Sequence, residues 1–102
     1  MTKAIRIHEY GGPEAMSWED VEVGEPGEGE ALVRHTAVGL NFIDVYMRSG
    51  QYPQPAFPAG IGLEGAGVVE AVGAGVDDLA VGDRVAYAGG PPGSYCQSRL
   101  MP

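Results

Sequence analysis

The chain has 102 residues, enough to bury the core of one domain. Its 14 acidic residues outnumber its six Lys and Arg, for a formal net charge of −8, and the basic residues are scattered, which argues against a nucleic-acid partner. Cys96 is the single cysteine, which excludes an internal disulfide and a thiolate zinc knuckle. Without a signal core or an apolar run that could span a bilayer, we expect a cytoplasmic protein with no membrane partner.

Glycine and proline punctuate the whole sequence. The 17 Gly and 8 Pro separate runs that are rich in Val, Ile and Ala, a pattern typical of a turn-dense β domain. Strands are predicted in chain order at residues 3–8, 16–23, 30–40, 65–73, 83–87 and 94–100. The loops fall at residues 24–29 and, where Pro53, Pro55 and Pro58 prevent regular structure, at 51–62. Six or seven short strands with one helix predict a barrel or sandwich.

The one helical stretch is predicted at residues 41–49. Asn41 is a good N-cap, and Asp44 lies three residues on, near the positive end of the helix dipole. Gly50 is a plausible C-terminal stop. Three side chains are expected to offer apolar contacts: Phe42, Val45 and Met47.

The segment from Gly60 to Gly65 has the glycine spacing of a dinucleotide-binding turn. That turn works between a strand and a helix, where a pyrophosphate rests on the helix N-terminus. Here a proline-rich loop precedes the glycines and a predicted strand follows them. The glycines are therefore predicted to serve tight turns and close packing.

The sequence contains few candidate residues for a metal site or for a catalytic nucleophile. A catalytic zinc needs about three protein ligands, and neither His8 nor His35 has a ligand at metal spacing beside it. Ser94, Cys96 and Ser98 lack a nearby base, and no nucleophile elbow is present. We predict no metal site and interpret Cys96 as a small buried residue.

Polar side chains concentrate on the predicted helix and beside the loop that follows it. Each has a structural interpretation, such as N-cap or amphipathic rim residue. Because binding sites tend to lie around such loops, a functional interpretation as site residues stays open beside it. The residues are Asn41, Asp44, Tyr46, Arg48, Tyr52 and Glu64.

At these residues the chain resembles a known family. It is similar to the N-terminal, GroES-like catalytic domain of zinc-independent NADPH:quinone oxidoreductases, in the medium-chain dehydrogenase/reductase superfamily. The resemblance covers nearly the whole chain and rests on residues 11–14, 41–44, 48–50, 52–53, 58–69 and 81–85. It implies a mainly β, partly open GroES-like barrel over residues 1–102, with one short helix near residues 41–49.

The resemblance also implies a zinc-free branch. In the zinc alcohol dehydrogenases a cysteine opens the helix and a histidine precedes the strand's glutamate; here those positions hold Asn41 and Leu63. The catalytic hydroxyl position is Ile43, and the four-cysteine structural zinc lobe is missing.

The implied reaction is hydride transfer from NADPH to a small-molecule quinone or similar enone. The positions that match the family's catalytic residues are Asn41, Tyr46 and Tyr52, and those expected beside the cofactor are Asn41, Ile43, Tyr46 and Leu63. Without zinc, hydrogen-bond donors would have to stabilise the developing oxyanion. Asp44, Arg48 and Glu64 are expected to support the residues that contact the substrate and cofactor.

In the resembled family, a Rossmann domain that binds most of the cofactor follows this region, and the chain then returns to complete the catalytic domain. Because the 102 residues contain neither part, we expect little activity from them alone and self-association as a homo-oligomer, a dimer. Two alternatives stay open: a free-standing GroES-like binding or co-chaperonin-like module, and a reductase of alkenals or enoyl thioesters.

Overall fold

A computed structural model describes residues 2–102. It shows two antiparallel sheets and one α-helix, which follows the third strand in chain order. The three-stranded sheet has the order β2-β1-β4, and the four-stranded sheet the order β6-β5-β3-β7. The strands are β1 (Thr2–Ile7), β2 (Met16–Val21), β3 (Ala31–Gly39), β4 (Ala59–Gly60), β5 (Glu64–Val72), β6 (Arg84–Ala88) and β7 (Ser98–Met101). Helix α1 is Phe42–Ser49, and Pro13–Ala15 form a short 3-10 turn. The predicted mainly β fold with one short helix is confirmed, as a partly open structure whose sheets do not close into a barrel.

The last strand starts later than predicted. Strand β7 begins at Ser98 and not at residue 94, because the preceding backbone bonds to both sheets instead of to one neighbour. The carbonyl of Tyr95 accepts the Ile5 N–H at 2.7 Å in the three-stranded sheet. The carbonyl of Gln97 accepts the His35 N–H at 2.7 Å in the four-stranded sheet. Residues 94–97 therefore form a seam between the sheets, and we call them the seam segment.

The core below α1 is small and aliphatic. Ile7 and Ile61 are almost completely buried, and Met47 packs against them from the helix. Ile43 lies four residues before Met47, on the same helix face, and is partly buried against this core. The prediction that Phe42 packs inward was wrong: at the first helical position its side chain is 82% exposed.

Strands β3 and β5 approach each other closely, as the glycines of β5 predicted. A Cβ on Gly67 would overlap the carbonyl oxygen of Arg34 in β3. The register of this pair shifts twice, between Leu32 and Val33 and between His35 and Ala37. Such irregularities bend a strand locally, and β3 leads directly into helix α1.

Candidate active site

Helix α1 is capped at both ends by the residues that the sequence indicated. Asn41 has extended backbone angles, and its N–H donates to Asp44 Oδ2 at 3.0 Å. The Asn41 carbonyl accepts the Asp44 N–H at 3.0 Å. Gly50 ends the helix with φ +90°, a left-handed conformation that favours glycine. The predicted helix boundaries are confirmed.

Asp44 is a buried carboxylate that joins the helix to the seam segment. Its side chain is only 3% exposed. The Tyr95 hydroxyl donates to Asp44 Oδ2 at 2.5 Å, across 51 residues of sequence. Burial, and then the hydrogen bond to Asp44, raise the pKa of Tyr95. The phenol therefore stays protonated and keeps donating to Asp44 over the physiological pH range.

The end of the helix is tied to the loop after β1. Arg48 Nε donates to the Gly11 carbonyl at 3.2 Å, and the Gly11 N–H donates to the Arg48 carbonyl at 3.0 Å. The hydroxyl oxygen of Tyr10, the residue before Gly11, accepts the Gln54 N–H at 2.7 Å. Its ring also meets Phe57 edge-on, with centroids 5.0 Å apart. Tyr10 and Gly11 therefore position both the helix terminus and the proline-rich loop.

Tyr46 and Tyr52 form the aromatic pair of this surface. Their rings are nearly perpendicular, with centroids 5.4 Å apart. The Tyr52 N–H donates to the Tyr46 carbonyl at 3.1 Å, which holds the start of the loop against the helix. The two residues are 36% and 51% exposed. Two phenols thus stand side by side on a surface that a ligand can reach.

The other site candidates lie at the start of helix α1 and at the residues that lead into β5. Asn41 precedes Tyr46 by five residues, about 7.5 Å along the axis at ~1.5 Å per residue. Ile43 and Leu63 are partly buried and pack on the aliphatic core. Glu64 opens β5 opposite Gly39 and Ala88 and is half-buried.

Sequence reasoning missed Tyr10 and Tyr95 because their partners are distant in the chain. Tyr10 touches residues more than 40 positions away, and Tyr95 bonds to a helix 51 positions earlier. A single sequence contains no periodicity that would signal such contacts. Both would have been candidates only as tyrosines beside glycine-rich turns.

The glycines from Gly60 to Gly65 serve packing and turns, as predicted. Gly62 has φ +102°, and a Cβ there would collide with the side chains of Ser94 and Tyr95. A Cβ on Gly60 would lie 2.8 Å from the Gly93 Cα. Strand β5, not a helix, follows these residues. The segment therefore has no helix N-terminus to hold a pyrophosphate.

A second polar cluster links β3, β6 and the seam segment. His35 Nδ1 is 3.0 Å from the Cys96 carbonyl, and His35 Nε2 is 2.7 Å from the Tyr87 hydroxyl. Because a carbonyl can only accept, Nδ1 carries the proton and Nε2 accepts from Tyr87. The pKa of His35 is lowered, mainly by burial. The hydrogen bond to the Cys96 carbonyl opposes this by raising the pKa, and the nearby positive charge of Arg99 lowers it further. Burial raises the pKa of the Cys96 thiol, so that side chain is a poor nucleophile.

This cluster makes stability sensitive to mildly acidic pH. The folded pKa of His35 lies below its ordinary value of 6.5, so below that value the unfolded chain binds more protons than the folded one. We expect the free energy of unfolding to fall as the pH drops from about 6.5 towards the lowered pKa. Urea titrations at stepped pH measure it. The variant His35→Gln should lose this part of the slope, and His8→Gln, at an exposed histidine, should keep it; equal slopes in both would contradict the assignment.

Among residues 2–102, no group of three or more His, Cys, Asp or Glu side chains is placed to hold a metal ion. Over the same residues, no helix has the length and apolar character needed to cross a membrane. Helix α1, at eight residues, is the one α-helix described.

The fold and the sequence define the class of protein together. Residues 27–101 match the alcohol dehydrogenase GroES-like domain, and the chain belongs to this family. It is 54% identical over 101 residues to a quinone oxidoreductase of Pseudomonas aeruginosa, a match that covers 99% of the chain and 31% of that relative. It is 47% identical over 106 residues to a 2-haloacrylate reductase of a Burkholderia species, covering all of the chain and 32% of the relative.

A solved structure agrees with the curated relatives. The Escherichia coli quinone oxidoreductase complexed with NADPH superposes with a TM-score of 0.94 at 42% identity, covering 97% of this chain and 30% of that one. The chain thus spans about a third of the length of the relatives it matches. The resemblance to the N-terminal, GroES-like domain of quinone oxidoreductases is confirmed.

Proposed function

We propose that the chain is the catalytic domain of a zinc-independent reductase that transfers hydride from NADPH to a quinone or similar enone. The observation that carries this proposal is the 54% identity to a quinone oxidoreductase over nearly the entire chain. The NADPH complex of the Escherichia coli relative supports the choice of cofactor. NADPH supplies the hydride when bound, and a proton must reach the reduced oxygen to complete the hydroquinone.

The role of this chain would be to bind the acceptor and stabilise its developing negative charge. Hydride addition turns a quinone carbonyl oxygen into an oxyanion, which oriented donors stabilise. The Tyr46 and Tyr52 phenols stand side by side with accessible rings, and the Asn41 amide is one and a half helical turns away. Tyr46 and Tyr52 can also stack against a flat aromatic ring.

Two partly buried residues, Ile43 of helix α1 and Leu63 just before β5, would contact the nicotinamide. Ile43 and Leu63 are held by the aliphatic core and could form a firm apolar wall for its flat ring, with Asn41 and Tyr46 at its edges. Asp44, Arg48 and Glu64 would hold these residues in position. Asp44 bonds the helix to the seam segment, and Arg48 bonds it to the loop after β1. The absence of zinc is part of the proposal and is supported by Asn41 and Leu63 at the positions where zinc relatives carry ligands.

The second candidate acceptor is an activated carbon–carbon double bond. The 47% identity to a 2-haloacrylate reductase favours it, because that match covers the whole chain as well. Hydride addition to such a substrate also places negative charge on a carbonyl or carboxylate oxygen. The same donors would therefore suit both reactions, and a substrate panel distinguishes them.

A chimeric enzyme tests the function directly. Residues 1–102 would replace the matching region of the Pseudomonas aeruginosa relative, and NADPH consumption would be followed with 1,4-benzoquinone and with an alkenal. We expect quinone-dependent turnover from the chimera and little or none from the 102 residues alone. A folded chimera that binds NADPH but reduces neither acceptor would overturn the proposal.

Within that chimera we expect the site residues to affect turnover selectively. Tyr46→Phe, Tyr52→Phe and Asn41→Ala should each lower kcat/KM by about 10- to 100-fold, somewhat less than the loss of one donor in a well-formed oxyanion hole. Gln51→Ala, at an exposed position between the two tyrosines, is the matched control and should change it little. Steady-state kinetics measure the effect, and unchanged kcat/KM in all three variants would rule out the donor role.

We also propose that the chain forms a homo-oligomer, a dimer, in the cytoplasm. Support comes from exposed apolar side chains that line one surface groove: Trp18 is 54% exposed, Val38 45% and Leu40 80%. We expect the light-scattering mass of residues 1–102 to rise with concentration, and Trp18→Glu to suppress this rise. A monomer mass at every concentration would contradict the prediction.

A further inference from the structure

The loop that carries Tyr52 is held in place by few contacts. Residues 51–58 lie between helix α1 and strand β4, and Gln54 is half-buried while the others are exposed. Three of these eight residues are prolines, which have no backbone N–H to donate. The position of the loop therefore depends on the few groups that do bond to it.

Tyr10, in the segment after β1, supplies the anchor. Its hydroxyl oxygen accepts the Gln54 N–H at 2.7 Å, and its ring meets Phe57 edge-on. The same ring lies against Gly50, where an added Cβ would be 2.9 Å from the Tyr10 Cγ. Among residues 2–102, the bond to Tyr10 is the one hydrogen bond that joins residues 53–57 to a residue outside the loop.

Gln54 connects this anchor to Tyr52. The Gln54 side-chain amide donates from Nε2 to the Tyr52 carbonyl at 3.1 Å, and the Tyr52 N–H donates to the Tyr46 carbonyl at 3.1 Å. Both backbone groups of Tyr52 are thus held, one by the helix and the other by a residue that Tyr10 holds. A path of three hydrogen bonds runs from the Tyr10 hydroxyl to the pair of rings.

We propose that Tyr10 is a positioning residue for the acceptor: it orients Tyr52 through Gln54 and so sets how tightly a flat acceptor binds. This inference rests on the proposed function, which assigns Tyr52 to the acceptor. Without the Tyr10 hydroxyl, the loop would sample several positions. An acceptor would then bind the fraction of molecules in which the Tyr52 ring lies beside Tyr46, which raises the apparent KM and leaves kcat unchanged.

The variant Tyr10→Phe isolates the hydroxyl, because a phenylalanine ring keeps the contacts with Gly50 and Phe57. In the chimera we expect the KM for 1,4-benzoquinone to rise about 3- to 10-fold, the effect of one ordinary hydrogen bond. The kcat and the KM for NADPH should stay as they are. An unchanged KM for benzoquinone, or an equal rise in the KM for NADPH, would overturn the proposal.

Tyr87→Phe is the matched control, since it removes a hydrogen-bonded hydroxyl from β6 without touching the loop. It should leave both KM values unchanged. A rise in the KM for benzoquinone as large as that of Tyr10→Phe would show that any lost hydroxyl has this effect, and would contradict the role of Tyr10.

A double-mutant cycle tests the path through Gln54. Gln54→Ala removes the amide that bonds to the Tyr52 carbonyl and keeps the backbone N–H that Tyr10 accepts. It should raise the KM for benzoquinone by itself, and the double variant with Tyr10→Phe should raise it no further than the larger single effect. Fold-changes that multiply in the double variant would show two independent effects and overturn the path.

A spectroscopic test on the 102-residue chain does not depend on turnover. The rings of Tyr46 and Tyr52, with centroids 5.4 Å apart, should give NOE cross-peaks that weaken in Tyr10→Phe and in Gln54→Ala but persist in Tyr87→Phe. Unchanged cross-peaks in Tyr10→Phe, beside an active chimera, would overturn this inference alone. Weakened cross-peaks beside a chimera that reduces neither acceptor would overturn the proposed function and support the orientation of Tyr52 by Tyr10.

Discussion

Replacing Gly67 with alanine should cost the fold about 3 kcal/mol or more, a large part of the roughly 5–15 kcal/mol that stabilises a small domain. The new Cβ would overlap the Arg34 carbonyl oxygen and lie 2.8 Å from its carbon and 2.9 Å from the His35 Cα. These atoms are backbone, so no side chain can turn away to relieve the clash. Strands β3 and β5 would have to separate at the centre of the larger sheet. Urea denaturation followed by circular dichroism measures the loss.

Gly75→Ala is the matched control for this substitution. Gly75 has φ +81°, and a Cβ added there would meet no atom within 4 Å, so only backbone strain opposes alanine at this position. That strain costs about 1–2 kcal/mol. If the two variants lost the same stability, the close approach of β3 and β5 would not be what requires glycine at Gly67.

Replacing Asp44 with alanine should cost about 3 kcal/mol of stability, from the lost cap and from two donors left without their acceptor. The Asn41 N–H would lose its bond to Oδ2, and so would the Tyr95 hydroxyl. Helix α1 would lose its link to the seam segment at the same time. Urea denaturation measures the loss, and in the chimera we expect a lower kcat from the displaced helix.

The conservative variant Asp44→Asn separates the hydrogen bonds from simple loss of packing. Its side-chain oxygen can still accept from Asn41 and Tyr95, so it should lose less than half as much stability as Asp44→Ala. A double-mutant cycle with Tyr95→Phe isolates the bond between the two side chains. Additive losses in that cycle would show that Asp44 and Tyr95 do not act together.

Local patterns predicted much of the secondary structure because their causes are local. Asn41, Asp44 and Gly50 set the limits of α1 through the capping groups and a left-handed residue, and each acts within one turn. The alternation in residues 3–8 and the small residues of 65–73 likewise predicted β1 and β5. Phe42 was placed wrongly because a first-turn residue can point to solvent even when its neighbours are apolar.

The candidate site was predictable only in part. The resemblance pointed to Tyr46 and Tyr52, and the structure brings their rings together, but whether they act in catalysis stays a prediction. Tyr10 and Tyr95 could not be predicted from the sequence, because their hydrogen-bond partners lie more than 40 residues away in the chain.

By itself, the sequence determined the helix boundaries, the family and the described strands other than β4, since capping, side-chain alternation and ordered motifs are readable from neighbouring residues. Strand β4 (Ala59–Gly60) was missed: it lies in the stretch predicted as a loop and pairs with β1. Only the tertiary structure decided that residues 94–97 form a seam between two sheets and that the Asp44 side chain is buried, with the Tyr95 hydroxyl as its donor. The physical reason is that these backbone and side-chain groups satisfy their hydrogen bonds with partners far away in the chain. Which distant group lies within reach is set by how the two sheets pack, and no local pattern encodes it.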